Sequence, residues 1–345
     1  MFWRIDLQAQ GPGLALRDIL ARAPRPTLSA QVTAHIRPDI LVLSGLDYDH
    51  GLVTLTALRD LMAEQGPRFD HIHAFPTNAG LRTGLDLNGD GRRDTPDDAQ
   101  GYGSFTGQKG LAVLSRLPID LGASRDFSGF LWADLPDTQS PHTPTGPMAD
   151  EEVHAAQRLS STGHWDIVVV TNHGPLHLLV WQSGPPAFGG AGPRNAARNH
   201  DETAFWTAFL DGRLPMTPPA APFVLAGGSN LDPFDGDGQG GAMQTLLAHP
   251  RVQDPAPASI GASIAAARDP RSAAHSGPHA LDTVDWPQER GPGNLRVSYV
   301  LPSSDLVVLG AGVFWPAPDD PLAALLGSDG TTPSRHRPVW VDIRR

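Results

Sequence analysis

The sequence predicts a mixed α/β layer protein built around buried strands, and three observations predict it. Short apolar runs of four to seven residues, most of them rich in β-branched side chains, recur along the chain between loops. Helical spacing of apolar residues appears in only a few places. The chain of 345 residues carries 37 glycines and 34 prolines, far above ordinary usage, so turns and loops are many and long helices few. With 40% hydrophobic residues spread along its length, the sequence is one that folds.

The strands follow in order. Met1 to Asp6 forms the first, Ile40-Leu-Val-Leu43 the second and Leu111-Ala-Val-Leu114 a third. Ile167-Val-Val-Val170 and Leu176-His-Leu-Leu-Val-Trp181 flank Asn172-His-Gly-Pro175 and read as a β-hairpin. Phe223-Val-Leu-Ala226, Leu295 to Leu301, Leu306-Val-Val-Leu309 and Val339 to Ile343 complete the set. Leu52, Leu55, Leu58, Leu61 and Met62 make one helical stripe. A second helix is expected to open at Asn199, as cap, with Glu202 three residues on and Phe205, Trp206, Phe209 and Leu210 as its stripe. A third covers about 239–248. Long loops are expected at 135–150, 183–199 and 254–294. No repeat or linker divides the chain, which reads as one domain over 1–345. Trp181, Trp206, Trp315 and Trp340 lie in apolar runs and read as core.

Composition excludes several chemistries. There is no cysteine, hence no disulfide framework, thiolate metal site or Cys nucleophile. The net charge of −11 argues against nucleic acid as a partner. No run of 18 apolar residues exists to span a membrane. The start of the chain does not read as a signal peptide, so the cytoplasm is the default expectation, with export open if a leader has been removed. A Gly-x-Ser-x-Gly elbow, a phosphate-cradling loop with Lys and a dinucleotide fingerprint are all absent.

One stretch has the spacing of a calcium loop. Asp86, Asn88, Asp90, Asp94 and Asp97 stand at loop positions 1, 3, 5, 9 and 12, Gly91 at the sharp turn and Arg92 where a carbonyl would serve. Ca²⁺ takes six to eight hard oxygens, and this spacing wraps them around a point. Arg93 at the usually apolar position and Asp97 in place of Glu depart from the pattern. The expectation is a structural Ca²⁺. The cluster Asp232-Pro-Phe-Asp-Gly-Asp237 reads as a solvated turn, and the polar run Arg194, Asn195, Arg198, Asn199, His200 and Asp201 as a capped helix start with solvated charges or as an anion-binding surface.

The order of strands and motifs resembles the endonuclease/exonuclease/phosphatase superfamily, whose relatives include deoxyribonuclease I, sphingomyelinase and inositol polyphosphate 5-phosphatases. The landmarks are Pro38 to Leu43, Gly110-Leu-Ala-Val-Leu-Ser-Arg-Leu-Pro-Ile119, Phe223-Val-Leu-Ala-Gly-Gly-Ser-Asn230, Asn294 to Leu301 and Ser334-Arg-His-Arg-Pro338. It looks closest to a bacterial branch with an acidic insert. The resemblance implies an α+β fold, a two-sheet β-sandwich flanked by helices in four layers, α-β-β-α. It also implies hydrolysis of phosphoesters assisted by Mg²⁺ or Mn²⁺, with carboxylates and an Asn holding the metal and an Asp-polarised His holding the phosphate.

The departures from that pattern fall on the chemistry. Asn230 and His336 stand at retained positions. Arg4 replaces the Asn of the first strand, Gly45 the Glu of the second, Gln182 a His, Gly228 and Ser298 two Asp residues, and Arg335 the Asp of Ser-Asp-His. A hard cation is not held by neutral groups, and a His without its carboxylate loses its preferred tautomer. The expectation is that hydrolysis has been lost and the fold serves as a binding or structural component, with Arg4 and Arg335 attracting a small anionic ligand, or with another protein as partner. Two alternatives stand beside it: an active phosphoesterase whose ligands have moved to Asp47, Asp49 and Asp232 around Asn230 and His336, and a calcium-stabilised exported assembly component.

Overall fold

Strand β1 (Phe2–Leu7) opens the chain and is followed by helices α1 (Leu14–Leu20) and α2 (Pro24–Ile36), then β2 (Ile40–Leu46). Helix α3 (Val53–Ala63) carries the expected Leu stripe, and β3 (His71–His73), β4 (Gly110–Ser115) and β5 (Ile119–Asp126) follow. Helix α4 (Met148–Ala156) precedes the hairpin of β6 (Gly163–Thr171) and β7 (Gly174–Gln182). Next come α5 (Arg194–Leu210), β8 (Phe223–Gly228), α6 (Gly241–Leu247), α7 (Ile260–Arg268) and the single turn α8 (Pro270–Ala273). Strands β9 (Ser298–Pro302), β10 (Val307–Val313) and β11 (Val339–Arg344) close it. This computed structural model describes residues 1–141, 148–188, 193–220, 222–287, 289 and 291–344.

The strands form two mixed sheets, in the orders β10-β11-β1-β2-β4-β3 and β5-β6-β7-β8-β9. Each has one parallel pair near its middle, β1 with β2 and β7 with β8. Parallel neighbours need a crossover, and α1–α2 and α5 supply the two. The result is the α+β sandwich expected above: β1 and β2 face β8 and β9, with α1–α3 outside the first sheet and α5 and α6 outside the second.

Alternation along the second sheet explains why it has two apolar faces. Leu176, Leu178 and Val180 of β7, Val224 and Ala226 of β8, and Val300 of β9 point into the space between the sheets. Their neighbours Leu179, Trp181, Phe223, Leu225, Tyr299 and Leu301 point outward and are covered by Phe205, Trp206, Phe209 and Leu210 of α5 and by Met243 and Leu246 of α6. Burying each such large side chain contributes about 2 kcal/mol or more.

Five expectations need correction. Helix α5 begins at Arg194, so Asn199 lies inside it and does not cap it; its amide donates to the carbonyls of Gly184 at 2.8 Å and Ser229 at 2.6 Å. The charges of that helix are not solvated: Arg198, Asp201 and Glu202 are buried, and Arg198 donates to the carbonyls of Leu159, Gln100 and Arg158. The stretch 254–294 is not a plain loop but holds α7 and α8. Asp232 is buried, not in a solvated turn. Trp181, Trp206 and Trp315 are core, whereas Trp340 is half-buried. Parts of the expected loops lie outside the described residues, at 142–147, 189–192, and 288 and 290.

Candidate functional site

The positions singled out by the sequence gather at one end of the sandwich, where both parallel pairs terminate. Arg4 and Asp6 come from the end of β1, Ser44 and Gly45 from the end of β2, and Gln182 from the end of β7. Gly228 ends β8 and leads to Asn230, Ser298 starts β9, and Ser334 to His336 lead into β11. The β1–β2 ladder slips between Arg4 and Leu7, and the β2–β4 ladder slips between Ser44 and Leu46. Asp6, at φ 52°, and Gly45, at φ 75°, sit in these irregularities, and Asn230 has φ 50°. Such bulges re-aim side chains at a sheet end, and Asp and Asn are the side-chain-bearing residues that tolerate the left-handed region best.

Arg4 is the hub. Its Nε bonds Asp6 Oδ1 at 3.2 Å, and its Nη1 reaches across the sandwich to Asn230 Oδ1 at 3.5 Å. Asp6 Oδ2 accepts from Ser334 Oγ at 2.6 Å, and Ser334 Oγ in turn accepts from the His336 backbone N–H at 3.0 Å. Burial alone would raise the Asp6 carboxyl, but Arg4, His336, the Ser334 hydroxyl and Arg25 hold it below the usual carboxylate range. No motif in the sequence flags Asp6, yet it is the carboxylate bonded to Arg4.

A second set of bonds joins the sheets beside it. Ser44 Oγ donates to Gln182 Oε1 at 2.8 Å, Gln182 Nε2 donates to the Ser183 carbonyl at 2.9 Å, and Asn230 Nδ2 donates to that same carbonyl at 2.7 Å. Gln182 occupies the space a side chain at 228 would need: a Cβ on Gly228 would lie 2.4 Å from Gln182 Oε1. A Cβ on Gly45 would lie 2.9 Å from Gln8 Oε1, on a backbone that side chains resist. Neither acid of the family pattern can be put back without moving its neighbours.

His336 is 3% exposed, its ring set edge-on to Trp286 with centroids 5.2 Å apart, and its Nδ1 is buried without a hydrogen-bond partner. Burial, reinforced by Arg4, pushes its pKa down to about 3, so the ring is neutral at neutral pH. Ser298 Oγ is likewise buried and unpartnered. Arg335 turns aside, its Nη1 donating to the Asp285 carbonyl at 3.1 Å. The second cation near Arg4 is instead Lys109, the only lysine in the chain, which sequence reasoning did not place here. Its ammonium sits 4.9 Å from the centre of the Tyr102 ring and makes no ion pair among the described residues. Burial, then repulsion by Arg4, lowers its pKa.

The relocated ligands do not converge. Asp47 accepts from the backbone of Ala9 at 2.9 Å and Lys109 at 3.2 Å. Asp49 accepts from Val53 and Thr54 at the start of α3. Asp232 accepts from Phe234, Asp235 and Arg296. In the acidic loop, Asp86 accepts from the backbone of Gly89, Asp90 and Gly91, Asp90 from that of Arg92, and the amide of Asn88 donates to Asp90. Asp94 takes a positive φ and gives its carbonyl to Arg82, while Asp97 lies near Arg194. Among the described residues no three His, Asp or Glu side chains are gathered so as to hold a metal ion. Around Arg4 the donor set is a guanidinium, amides, hydroxyls and the Asp6 carboxylate, already bonded to Arg4 and Ser334, while Asp47 is bonded to the backbone of Ala9 and Lys109. That set does not fit Mg²⁺, which demands oxygen ligands in octahedral array.

The sequence profile of the Endonuclease/Exonuclease/phosphatase family matches residues 3–336. The chain belongs to that family. Among solved structures it is similar to an endonuclease/exonuclease/phosphatase from Beutenbergia cavernae DSM 12333, at 18% identity and TM-score 0.56, over 99% of this chain and 70% of that one. A family protein from Leptotrichia buccalis C-1013-b matches at 11% identity and TM-score 0.52, over 100% and 98%. A mannosyl-6-phosphatase from Bacteroides thetaiotaomicron VPI-5482 matches at 13% identity and TM-score 0.50, again over 100% and 98%. These likenesses are likenesses of fold. No curated protein matches the sequence.

Proposed function

We propose that this family member has exchanged metal-dependent phosphoester hydrolysis for binding a small anionic ligand at its strand ends. The observation that carries the reading is the occupation of the ligand space: Gln182, bonded to Ser44, stands where a carboxylate at 228 would project. The charge balance supports it. Lys109 feels repulsion from Arg4 ahead of the attraction of Asp47 and Asp6 and makes no ion pair among the described residues, so an anion beside Arg4 and Lys109 accepts charge-assisted hydrogen bonds from both. His336, held neutral, packs against Trp286 and contributes no cation.

The test pairs two measurements on the full chain. Phosphomonoester and phosphodiester turnover with Mg²⁺, Mn²⁺ or Ca²⁺ is expected to be no higher than that of Asn230→Ala or His336→Ala. Calorimetric titration with inorganic phosphate is expected to show binding that weakens at least tenfold in Arg4→Ala and less in Lys109→Ala. Metal-dependent turnover abolished by both Asn230→Ala and His336→Ala would overturn the reading and restore the enzyme.

A further inference from the structure

One exposed ring stands at the edge of the strand-end site, on a loop whose backbone is tightly packed. Gly101 and Gly103 are buried on either side of Tyr102. A Cβ on Gly101 would lie 1.7 Å from the carbonyl oxygen of Ser161, and one on Gly103 would lie 2.6 Å from the backbone nitrogen of Gly80. Glycine at both positions lets backbone approach backbone. Hydrogen bonds fix the contact: the Gly101 N–H donates to the Asn78 carbonyl at 3.0 Å, and the Gly80 N–H to the Gly101 carbonyl at 2.8 Å. The Tyr102 side chain between the two glycines is 57% exposed. A ring of this size gains by burial, and here the fold holds it out in water.

The ring is placed beside charge. Lys109 Nζ sits 4.9 Å from its centre. Lys109 stands just before β4 with φ 59°, a strained conformation for a residue that carries a side chain. Its backbone N–H donates to Asp47 Oδ1 at 3.2 Å. The preceding Gln108 donates through Nε2 to the carbonyl of Ala9 at 2.7 Å, which ties the loop to the end of the strand that carries Arg4. The two carboxylates in the field of Lys109 are Asp47 and Asp6. Asp47 accepts backbone N–H groups, and Asp6 accepts from Arg4 and Ser334. Among the described residues the ammonium itself contacts the Tyr102 ring and no carboxylate oxygen.

We propose that the anion held by Arg4 and Lys109 is the acidic group of a ligand that carries a flat aromatic ring, and that this ring stacks on Tyr102. The inference rests on the anion-binding reading of the strand ends and adds the class of molecule that brings the anion. With Nζ 4.9 Å from the ring centre, an anion bonded to it stands at the margin of Tyr102, and the group attached to that anion meets the ring. A bare phosphate would leave Tyr102 in water. A saturated group would gain only by area, whereas a second aromatic ring adds the offset-stacked or edge-to-face contact that ring pairs prefer.

Inorganic phosphate, phenyl phosphate and cyclohexyl phosphate are the probes, titrated calorimetrically into the full chain in metal-free buffer. Phenyl phosphate is expected to bind about fivefold tighter than inorganic phosphate or better, with cyclohexyl phosphate between them. The advantage of phenyl phosphate over inorganic phosphate is expected to vanish in Tyr102→Leu and to survive in Tyr102→Phe, with an unchanged circular dichroism spectrum in both. A disturbance of Lys109 in the leucine variant acts on both ligands and leaves their ratio as the readout, and the wild-type comparison stands without either variant. No binding of any of the three overturns the anion-binding reading and this inference with it. Phosphate bound with phenyl phosphate no tighter overturns the inference alone, as does an advantage that survives Tyr102→Leu. Cyclohexyl phosphate gaining as much as phenyl phosphate overturns the assignment of a flat ring.

Discussion

The two ends of this sandwich are made from the same strands and could hardly be more different. At the strand ends holding Arg4, Gln182 and Asn230, polar side chains of the two sheets bond to one another, while Ser298 Oγ and His336 Nδ1 stay unpartnered. At the opposite end lies a pocket of about 620 Å³ lined by charged residues such as His35, Arg37 and Asp342 as well as by apolar ones. A sheet end is where functional side chains of a layered fold collect, because strand termini can change residues without breaking ladders. What the difference teaches is that one end is joined across by a polar network with unpartnered groups beside it, while the other keeps a pocket of mixed lining.

The hardest way to break that contrast is to reinstate an acid at the closed end. Gly228→Asp would set its Cβ 2.4 Å from Gln182 Oε1 and bury a carboxylate with no room for a partner. We expect a loss of about 3 kcal/mol or more in urea unfolding, combining overpacking with a buried unpaired charge. Adding Gln182→Ala should recover the steric part, about 1–2 kcal/mol. A Gly228→Asp protein as stable as wild type would show that Gln182 does not fill this space.

Acid sharpens the comparison next, because the end holding Arg4 contains a buried histidine, His336, whereas His35 at the other end is exposed. His336 has its pKa lowered to about 3, against an ordinary value of 6.5. The unfolded chain therefore takes up a proton below pH 6.5 that the folded chain refuses until about pH 3. The stability this group contributes is full above pH 6.5 and falls by about 1.4 kcal/mol per pH unit through that window. His164, lowered to about 4 by burial, adds the same sign. The check is the difference in slope between wild type and His336→Gln, measured by denaturant unfolding from pH 7 to pH 4.5, with the variant flatter.

Asp282 behaves in the opposite sense. It is 6% exposed with Oδ2 unpartnered, and burial, then Asp232 and Asp235, raise its pKa to about 8. Folded protein keeps this proton between about pH 4 and 8 while the unfolded chain releases it, so the contribution is present at acid pH and lost as pH rises to about 8. Asp282→Asn retains the neutral form throughout. We expect its stability relative to wild type to rise between pH 4 and pH 8 with a slope of up to about 1.4 kcal/mol per pH unit, and to show no gain at pH 4. Equal stability at pH 8 would mean the carboxylate finds a partner there.

Most of the fold was legible because apolar runs mark buried strands whatever else changes: each of the runs at 40–43, 111–114, 167–170, 176–181, 223–226 and 339–343 lies in a strand. Helices α1 and α2 were not legible, since Pro24-Arg-Pro-Thr-Leu-Ser-Ala carries no apolar stripe and α2 packs through Ser29, Ala30, Val32 and Thr33. The start of α5 was misplaced because its first turns bury polar groups, Arg198 and Asn199, through long-range bonds to carbonyls that no local pattern reports. The site divides the same way. Motif spacing brought Arg4, Gly45, Gln182, Gly228, Asn230, Ser298 and His336 to one end of the sandwich. Asp6 stayed hidden because its partner Ser334 is 328 residues away, Lys109 because only the fold sets it beside Arg4. Arg335 was expected beside Arg4, but alternation on the way into β11 turns it toward Asp285.

The smallest expected effect bears on the open end, and its sign decides between two pictures of it. In a filled core, Ala→Leu at a residue 2% exposed forces neighbours off their rotamers and costs about 1–3 kcal/mol. Ala226 lines the cavity instead, so its larger replacement has vacant space to enter and apolar walls to touch. Cavity filling of this kind gains about 0.5–1 kcal/mol. We expect Ala226→Leu to raise the urea midpoint without changing the slope of the transition, while the same substitution at Ala112 of β4, equally buried in the same core but away from the pocket, lowers it. A loss at both positions would mean that the sheets already meet at this end, and the contrast between the two ends of the sandwich would go with it.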